Sequence, residues 1–119
     1  MTAKQRELRL SDYLEHVIEA SALACSYIEG MDLETFRADK KTQQAVILNL
    51  MVIGEAATQI MNEYPEFVAE HPEVPWRQIR GMRNRMAHGY FEINLDIVWD
   101  TVQVSIPAMR EKVENLLKS

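Results

Sequence analysis

An all-α fold is expected for this chain, on three observations. In two long stretches apolar residues recur at alternating spacings of three and four, the period of a helix face. A third stretch, residues 45–53, is apolar nearly all the way round and is interrupted only by Asn49. No run alternates apolar and polar as a strand convincingly would, and four Gly and four Pro in 119 residues leave little material for the turns of an all-β chain. The expectation is a single domain over residues 1–119, a bundle of four main helices with short extra ones.

Taken in order, residues 1–10 are polar and read as frayed or as a short helical lead-in. Asp12 and Glu15 have capping-box spacing, and the helix they open runs to about Ile28. Leu14, Ile18, Ser21, Cys25 and Ile28 form its apolar stripe, widened by Tyr13, Val17 and Ala24, with Glu15, Glu19, Ser26 and Glu29 opposite. Gly30 suits the position just past the helix end. Asp32 caps one short helical segment. A second long helix spans about residues 39–62. Because residues 45–53 have no polar face, that helix is expected to be buried on several sides, more than one small chain can cover, which points to a two-fold homodimer. Gly54, Ala56 and Ala57 permit close helix approach.

Pro65 begins a short helix ending near His71. Pro75 begins the next, which ends at Ala87 or His88 because Gly89 breaks it. Asn94 caps the last helix, whose face is Leu95, Trp99, Val102, Ile106, Met109, Val113 and Leu116. Pro107 lies inside that helix and should kink it, since it cannot donate to the carbonyl four residues earlier.

The chain carries a net charge of −5, yet residues 75–91 hold four of its 13 basic side chains, Arg77, Arg80, Arg83 and Arg85. No acidic residue lies between Glu73 and Glu92. A concentrated cationic site of this kind can hold an anion despite an acidic surround. The single cysteine, Cys25, excludes an internal disulfide and suits a reducing cytoplasm; by its place in the stripe it is a buried small hydrophobe. The N-terminus has no secretory h-region, and residues 45–53 are too few to span a bilayer. His16, His71 and His88 are scattered, so no metal site and no cofactor is expected; Gly-rich phosphate loops and Gly-x-Ser-x-Gly elbows are absent too.

What remains is the basic stretch. Asn84 and His88 share a helix face, with Arg80 one turn earlier. Arg83 and His88 lie about 140° apart on an ideal helix, so one helix does not bring them together. Two antiparallel copies could place an Arg and a His from each chain in one cleft. Such a cleft suits phosphodiester cleavage without a metal. Histidine exchanges protons near neutral pH, arginine neutralises phosphate charge in the transition state, and Asn84 could orient the imidazole or hold a phosphate oxygen. A helix-capping histidine beside solvated arginines is the plainer alternative. Glu55, in its apolar setting, is expected to pair with an arginine of the stretch and so to position it.

The segment R-N-R-M-A-H-G-Y resembles the Arg-x4-6-His-x-Tyr signature of the HepT toxins, a branch of the HEPN superfamily of helical ribonucleases. Arg83, His88 and Tyr90 fall on it, with Asn84 at the polar position after the arginine. V-I-G-E-A-A, V-P-W and F-x-I-x-L-D-x-V-W extend the resemblance over roughly residues 8 to 117. It implies an all-α homodimer with both motifs at the interface, acting as a metal-independent endoribonuclease in a toxin–antitoxin pair. It implies an MNT-type nucleotidyltransferase as partner, which transfers AMP to the motif tyrosine, Tyr90, and silences the toxin. The alternative is a non-catalytic helical dimer that binds and regulates such a nucleotidyltransferase. A nucleotide-binding domain is weaker, since no base or ribose pocket is recognisable.

Overall fold

A computed structural model describes residues 2–118, and among them there is no strand. Helix α1 (Ala3–Tyr27) begins well before Asp12, so the lead-in expected to fray is helical. Thr2 rather than Asp12 caps it: the Gln5 N–H donates to the Thr2 hydroxyl at 3.1 Å, and the Thr2 N–H donates to the Gln5 side chain at 2.9 Å. The extra turns are also tied at a distance. Arg6 donates to the Glu63 carbonyl, pairs with Glu66 at 3.0 Å and lies over the Tyr64 ring. The Tyr64 hydroxyl donates back to the Arg6 carbonyl at 2.9 Å, and Tyr13 donates to the Glu63 carboxylate at 3.0 Å. Met1 lies outside the described residues.

Gly30 takes φ +76°, the left-handed conformation expected of it, two residues past the helix cap Ile28. Asp32 caps α2 (Leu33–Ala38) and Asp39 caps α3 (Lys40–Glu63), accepting from the backbone N–H of Thr35 and Thr42 respectively. Hydrogen bonds from those threonines hold both carboxyls below the usual aspartate range. Next come α4 (Pro65–Glu70) and α5 (Trp76–His88), then a 3₁₀ turn over Tyr90–Glu92. Finally α6 (Leu95–Asp100) runs through a π-helical turn (Thr101–Ser105) into α7 (Ile106–Lys118). Asn94 caps α6 as expected, accepting from Asp96 and Ile97.

The π turn is how the last helix meets Pro107. The Ile106 N–H reaches back to the Thr101 carbonyl, five residues away. In that register the Val102 carbonyl would face the nitrogen of Pro107, which has no proton to give. The Cys25 thiol of α1 lies 3.8 Å from that carbonyl and donates to it instead. Burial raises the pKa of this thiol, so Cys25 is the half-buried small hydrophobe the pattern implied, with a weak donor role added.

Helix α3 is the centre. It packs on α1 along one side and on α5 along another, while α7 closes over α1. Val46, Leu50, Ile53 and Ile60 are fully buried, and Ile47, Ala56 and Ala57 nearly so. By length and composition α3 could cross a membrane, but half of its apolar window is buried inside this bundle, as in a core helix. Within the apolar stretch, α1 and α5 of the same chain cover Val46, Ile47, Leu50 and Ile53, while Ala45, Asn49 and Met51 are half-buried. Only Leu48 and Val52, 61% and 40% exposed, still face outward. Rings fix the ends of the bundle. Phe36 of α2 packs on Trp99 of α6 at 5.3 Å, beside the Arg37–Asp96 ion pair. Trp76, at the start of α5, is buried, donates to the His71 carbonyl at 3.0 Å and meets Phe67 edge-on.

Candidate active site

The geometry of α5 follows from one missing side chain on α3. Gly54 faces Arg83, and a Cβ at Gly54 would fall 2.2 Å from the Arg83 Cβ and 2.7 Å from its Cγ. Real atoms do not approach so closely, so α5 can lie this near to α3 only because position 54 carries no side chain. The close approach anticipated from small residues in α3 therefore occurs at the arginine itself.

The rest of Arg83 runs along the next turn of α3. One terminal nitrogen lies 3.8 Å from a Glu55 carboxylate oxygen, and the other donates to the Thr58 hydroxyl at 3.4 Å. The Arg83 Nε is buried without a hydrogen-bond partner. The arginine is 25% exposed and Glu55 57%, so the expected pairing is present but its setting differs. Glu55 sits on the rim of the helix packing, half in solvent, rather than in an apolar interior. Its other oxygen accepts from Gln59 at 3.1 Å.

The remaining residues of the basic stretch are presented differently. Arg77, Asn84, Arg85 and His88 are exposed and Arg80 is half-buried. Among the described residues none of these five side chains has a hydrogen-bond or ion-pair partner. Helix α5 is regular to its end at His88. Arg83 and His88 therefore point in different directions, as the 140° spacing requires, and no hydrogen bond joins them. The structure brings Arg83 together with Glu55 and does not bring it together with His88, Asn84 or Arg80 within this chain.

On its far side α5 stands away from the last helix. Between them lies an apolar groove of about 790 Å³, with Met82, Met86, Ile97 and Met109 in its walls and Arg85 and His88 also lining it. Gly89 ends α5, and the 3₁₀ turn beyond carries Tyr90, 45% exposed, and Phe91, wholly exposed, with the two rings edge to face at 6.0 Å. Tyr90 is thus off the helix and in contact with solvent, as expected from its place after Gly89. No three His, Cys, Asp or Glu side chains among the described residues converge to hold a metal ion.

Two participants escaped the sequence. Thr58 is an unremarkable polar residue in a helix, and only its i+4 spacing from Gly54 hinted that it shares the face turned to α5. Arg85 was noted as charge, with nothing to place it on the groove.

The matching family model is described as "Ribonuclease HepT-like" and covers residues 17–116. The chain is 41% identical over 107 residues to a protein of Thermococcus cleftensis named "Probable ribonuclease HepT", covering 90% of this chain and 94% of that one. It is 33% identical to "Putative RNase TTE0752" of Caldanaerobacter subterraneus, over 89% of this chain and 92% of the other. No solved structure matches the chain.

The Gly54 contact carries a direct expectation. Gly54→Ala should destabilise the fold by about 1–3 kcal/mol, the usual cost of overpacking a close helix contact. Gly81→Ala, where a Cβ would meet only the flexible end of Arg85 at 3.4 Å, should be neutral or stabilising, since alanine favours a helix over glycine by about 1 kcal/mol. Urea unfolding of the two variants checks this, and equal effects would show that α5 does not depend on Gly54.

Proposed function

The chain belongs to the HepT-like ribonuclease family, and from that premise we propose that it is an endoribonuclease, the toxin of a toxin–antitoxin pair, working without a metal ion. The observation that carries this reading is the division of labour on α5. Arg83 is anchored against α3, while His88 stands exposed at the helix end beside arginines that have no partners among the described residues.

His88 takes the proton of a ribose 2′-hydroxyl. The 2′-oxygen attacks the adjacent phosphorus, and the bond from phosphorus to the 5′-oxygen of the next nucleotide breaks. A histidine in acid form returns a proton to that oxygen. The products are a 2′,3′-cyclic phosphate and a 5′-hydroxyl. Arg83 stabilises the charge that builds on the phosphate, with Arg80 and Asn84 as supporting contacts and Glu55 holding the arginine. The uncommitted arginines draw the RNA to an otherwise acidic protein. RNA cleavage with those ends should persist in excess EDTA; a requirement for added Mg²⁺, or 5′-phosphate ends, would rule the mechanism out. His88→Ala should lower the rate about 10²–10⁴-fold, and Arg83→Lys should stay impaired, because an ammonium cannot reproduce the guanidinium fork. Wild-type cleavage by His88→Ala would make that histidine structural.

Because Arg83 and His88 diverge within one chain, the working site is composite, and a second copy supplies the missing half. Leu48 and Val52 on α3, with Ile97 beside the groove, are exposed apolar surface suited to a two-fold homodimer. Light scattering over a wide dilution range should read a dimer; a compact monomer at micromolar concentration would remove the composite site. A reducing cytoplasm is the compartment that fits the chain's one thiol.

The partner in this reading is an MNT-type nucleotidyltransferase. The Tyr90 hydroxyl attacks the α-phosphorus of ATP, and pyrophosphate leaves, giving an O-AMP tyrosine. The added phosphate and nucleoside then compete with RNA for the arginines. Support comes from the exposure of Tyr90 on a turn next to the end of the cationic helix. The same projecting turn, with Phe91 bare beside it, also favours a second reading, in which the chain docks on and regulates the nucleotidyltransferase without cleaving RNA. Co-expression with the partner should give AMP-sized mass increments on wild type and none on Tyr90→Phe. Full modification of Tyr90→Phe would place the acceptor elsewhere.

A further inference from the structure

We propose that Thr58 is a positioning residue for Arg83, and that Gly54, Glu55 and Thr58, on one face of α3, form a fixed seat for the guanidinium. This inference rests on the RNA-cleavage reading above and adds to it the groups that hold the phosphate-binding arginine in place.

The seat has three parts with different physics. At the root of the side chain, the Arg83 Cβ and Cγ press into the space left by Gly54, where there is no room for another carbon. At the tip, the Glu55 carboxylate lies 3.8 Å from one terminal nitrogen and is steadied by Gln59 on the same helix. Between them is Thr58. Its hydroxyl donates its only proton to the Gly54 carbonyl at 2.7 Å. What the Thr58 oxygen turns towards Arg83 is therefore lone pairs, and the second terminal nitrogen donates to them at 3.4 Å. The proton position is fixed by α3 itself, so the acceptor is ready before any substrate arrives.

This arrangement separates Arg83 from the other arginines of α5. Arg77, Arg80 and Arg85 have no side-chain partner among the described residues, so each keeps its rotamer freedom until RNA binds. An arginine surrenders much conformational entropy when it is immobilised. In Arg83 that loss is met in folding, which leaves a pre-set guanidinium to face developing phosphate charge. The buried Nε without an acceptor fits the same picture. A side chain free to move would turn that N–H to water, and the Gly54 contact together with Thr58 prevents it.

The test compares Thr58→Val, which keeps the shape and removes the lone pairs, with Thr58→Ser, which keeps them. Thr58→Val should lower kcat on the order of tenfold, the scale of one lost hydrogen bond to a charged group. KM and the pH profile should hardly move, because His88 and the unpartnered arginines are untouched. Thr58→Ser should recover most of the rate. Independently of activity, the Nε–H resonance of Arg83, assigned by its absence in Arg83→Lys, should exchange slowly with solvent in wild type and faster in Thr58→Val. Wild-type kcat in Thr58→Val, equal impairment in Thr58→Ser, or unchanged Nε–H exchange would each overturn the seat. A wild-type protein that cleaves no RNA would sink the cleavage reading and the catalytic purpose of the seat, while the exchange comparison would still decide whether Thr58 holds Arg83.

Discussion

The approach of α5 to α3 at Gly54 is the contact on which the rest of this molecule depends. It sets the depth at which the basic helix lies on the bundle, and it does so at the root of Arg83, the arginine proposed to meet the phosphate. A glycine inside a helix costs stability relative to alanine, because its backbone has more freedom to lose and no side chain to bury. Here the cost is offset by letting two helices meet almost backbone to side-chain root. The start of α5 is pinned separately by buried Trp76 and its bond to the His71 carbonyl. Held at its beginning and middle, α5 runs free at its end, where His88, Gly89 and the Tyr90–Phe91 turn project.

That gradient from anchored to free suits the roles proposed for these residues. An arginine that stabilises a transition state gains from being held in place beforehand, since reorganisation during the reaction would be paid in rate. A group that must meet a partner chain or a modifying enzyme gains from exposure. The same helix supplies both, because successive residues turn by about 100° and only one face can be committed to α3. The divergence of Arg83 and His88 is thus a consequence of regular helix geometry. It is also the reason that one chain alone does not complete the proposed catalytic arrangement, for which a second copy is invoked.

The scaffold around this helix shows the same economy in its last segment. Pro107 interrupts a helix that otherwise presents a continuous apolar face to α1. The chain absorbs it with a π turn and lends the Cys25 thiol to a carbonyl that the proline cannot serve. Val102, Ile106 and Met109 stay buried through the irregularity, so the packing on α1 survives where the hydrogen-bond ladder does not. At the other end, Arg6, Tyr13, Glu63 and Tyr64 bind the first turns of α1 to the end of α3. Those ties hold the start of α1 against the end of α3, while Leu48 and Val52 in the middle of α3 stay exposed.

By itself the sequence determined the helices, two of their caps and the stretch in which the basic residues gather. Caps at Asp32 and Asn94, the Pro65 start and the Gly89 stop are local interactions between residues a few positions apart, so they are legible without a fold. The clustering of Arg80, Arg83, Asn84, His88 and Tyr90 in one short stretch is equally local. What the tertiary structure alone decided is which groups meet across α3 and α5, and which apolar residues find cover. The Thr2–Gln5 box that starts α1 is local, but the tie of its first turns to Glu63 and Glu66, more than fifty residues away, is not. Glu55 reads as buried from its apolar neighbours, yet it sits at the edge of a helix contact whose depth Gly54 sets. Thr58 acquires a role only because the Gly54 carbonyl takes its proton and Arg83 arrives from another helix. Such contacts depend on helix separation and rotation, quantities summed over the whole packed interior, and no window of sequence contains them.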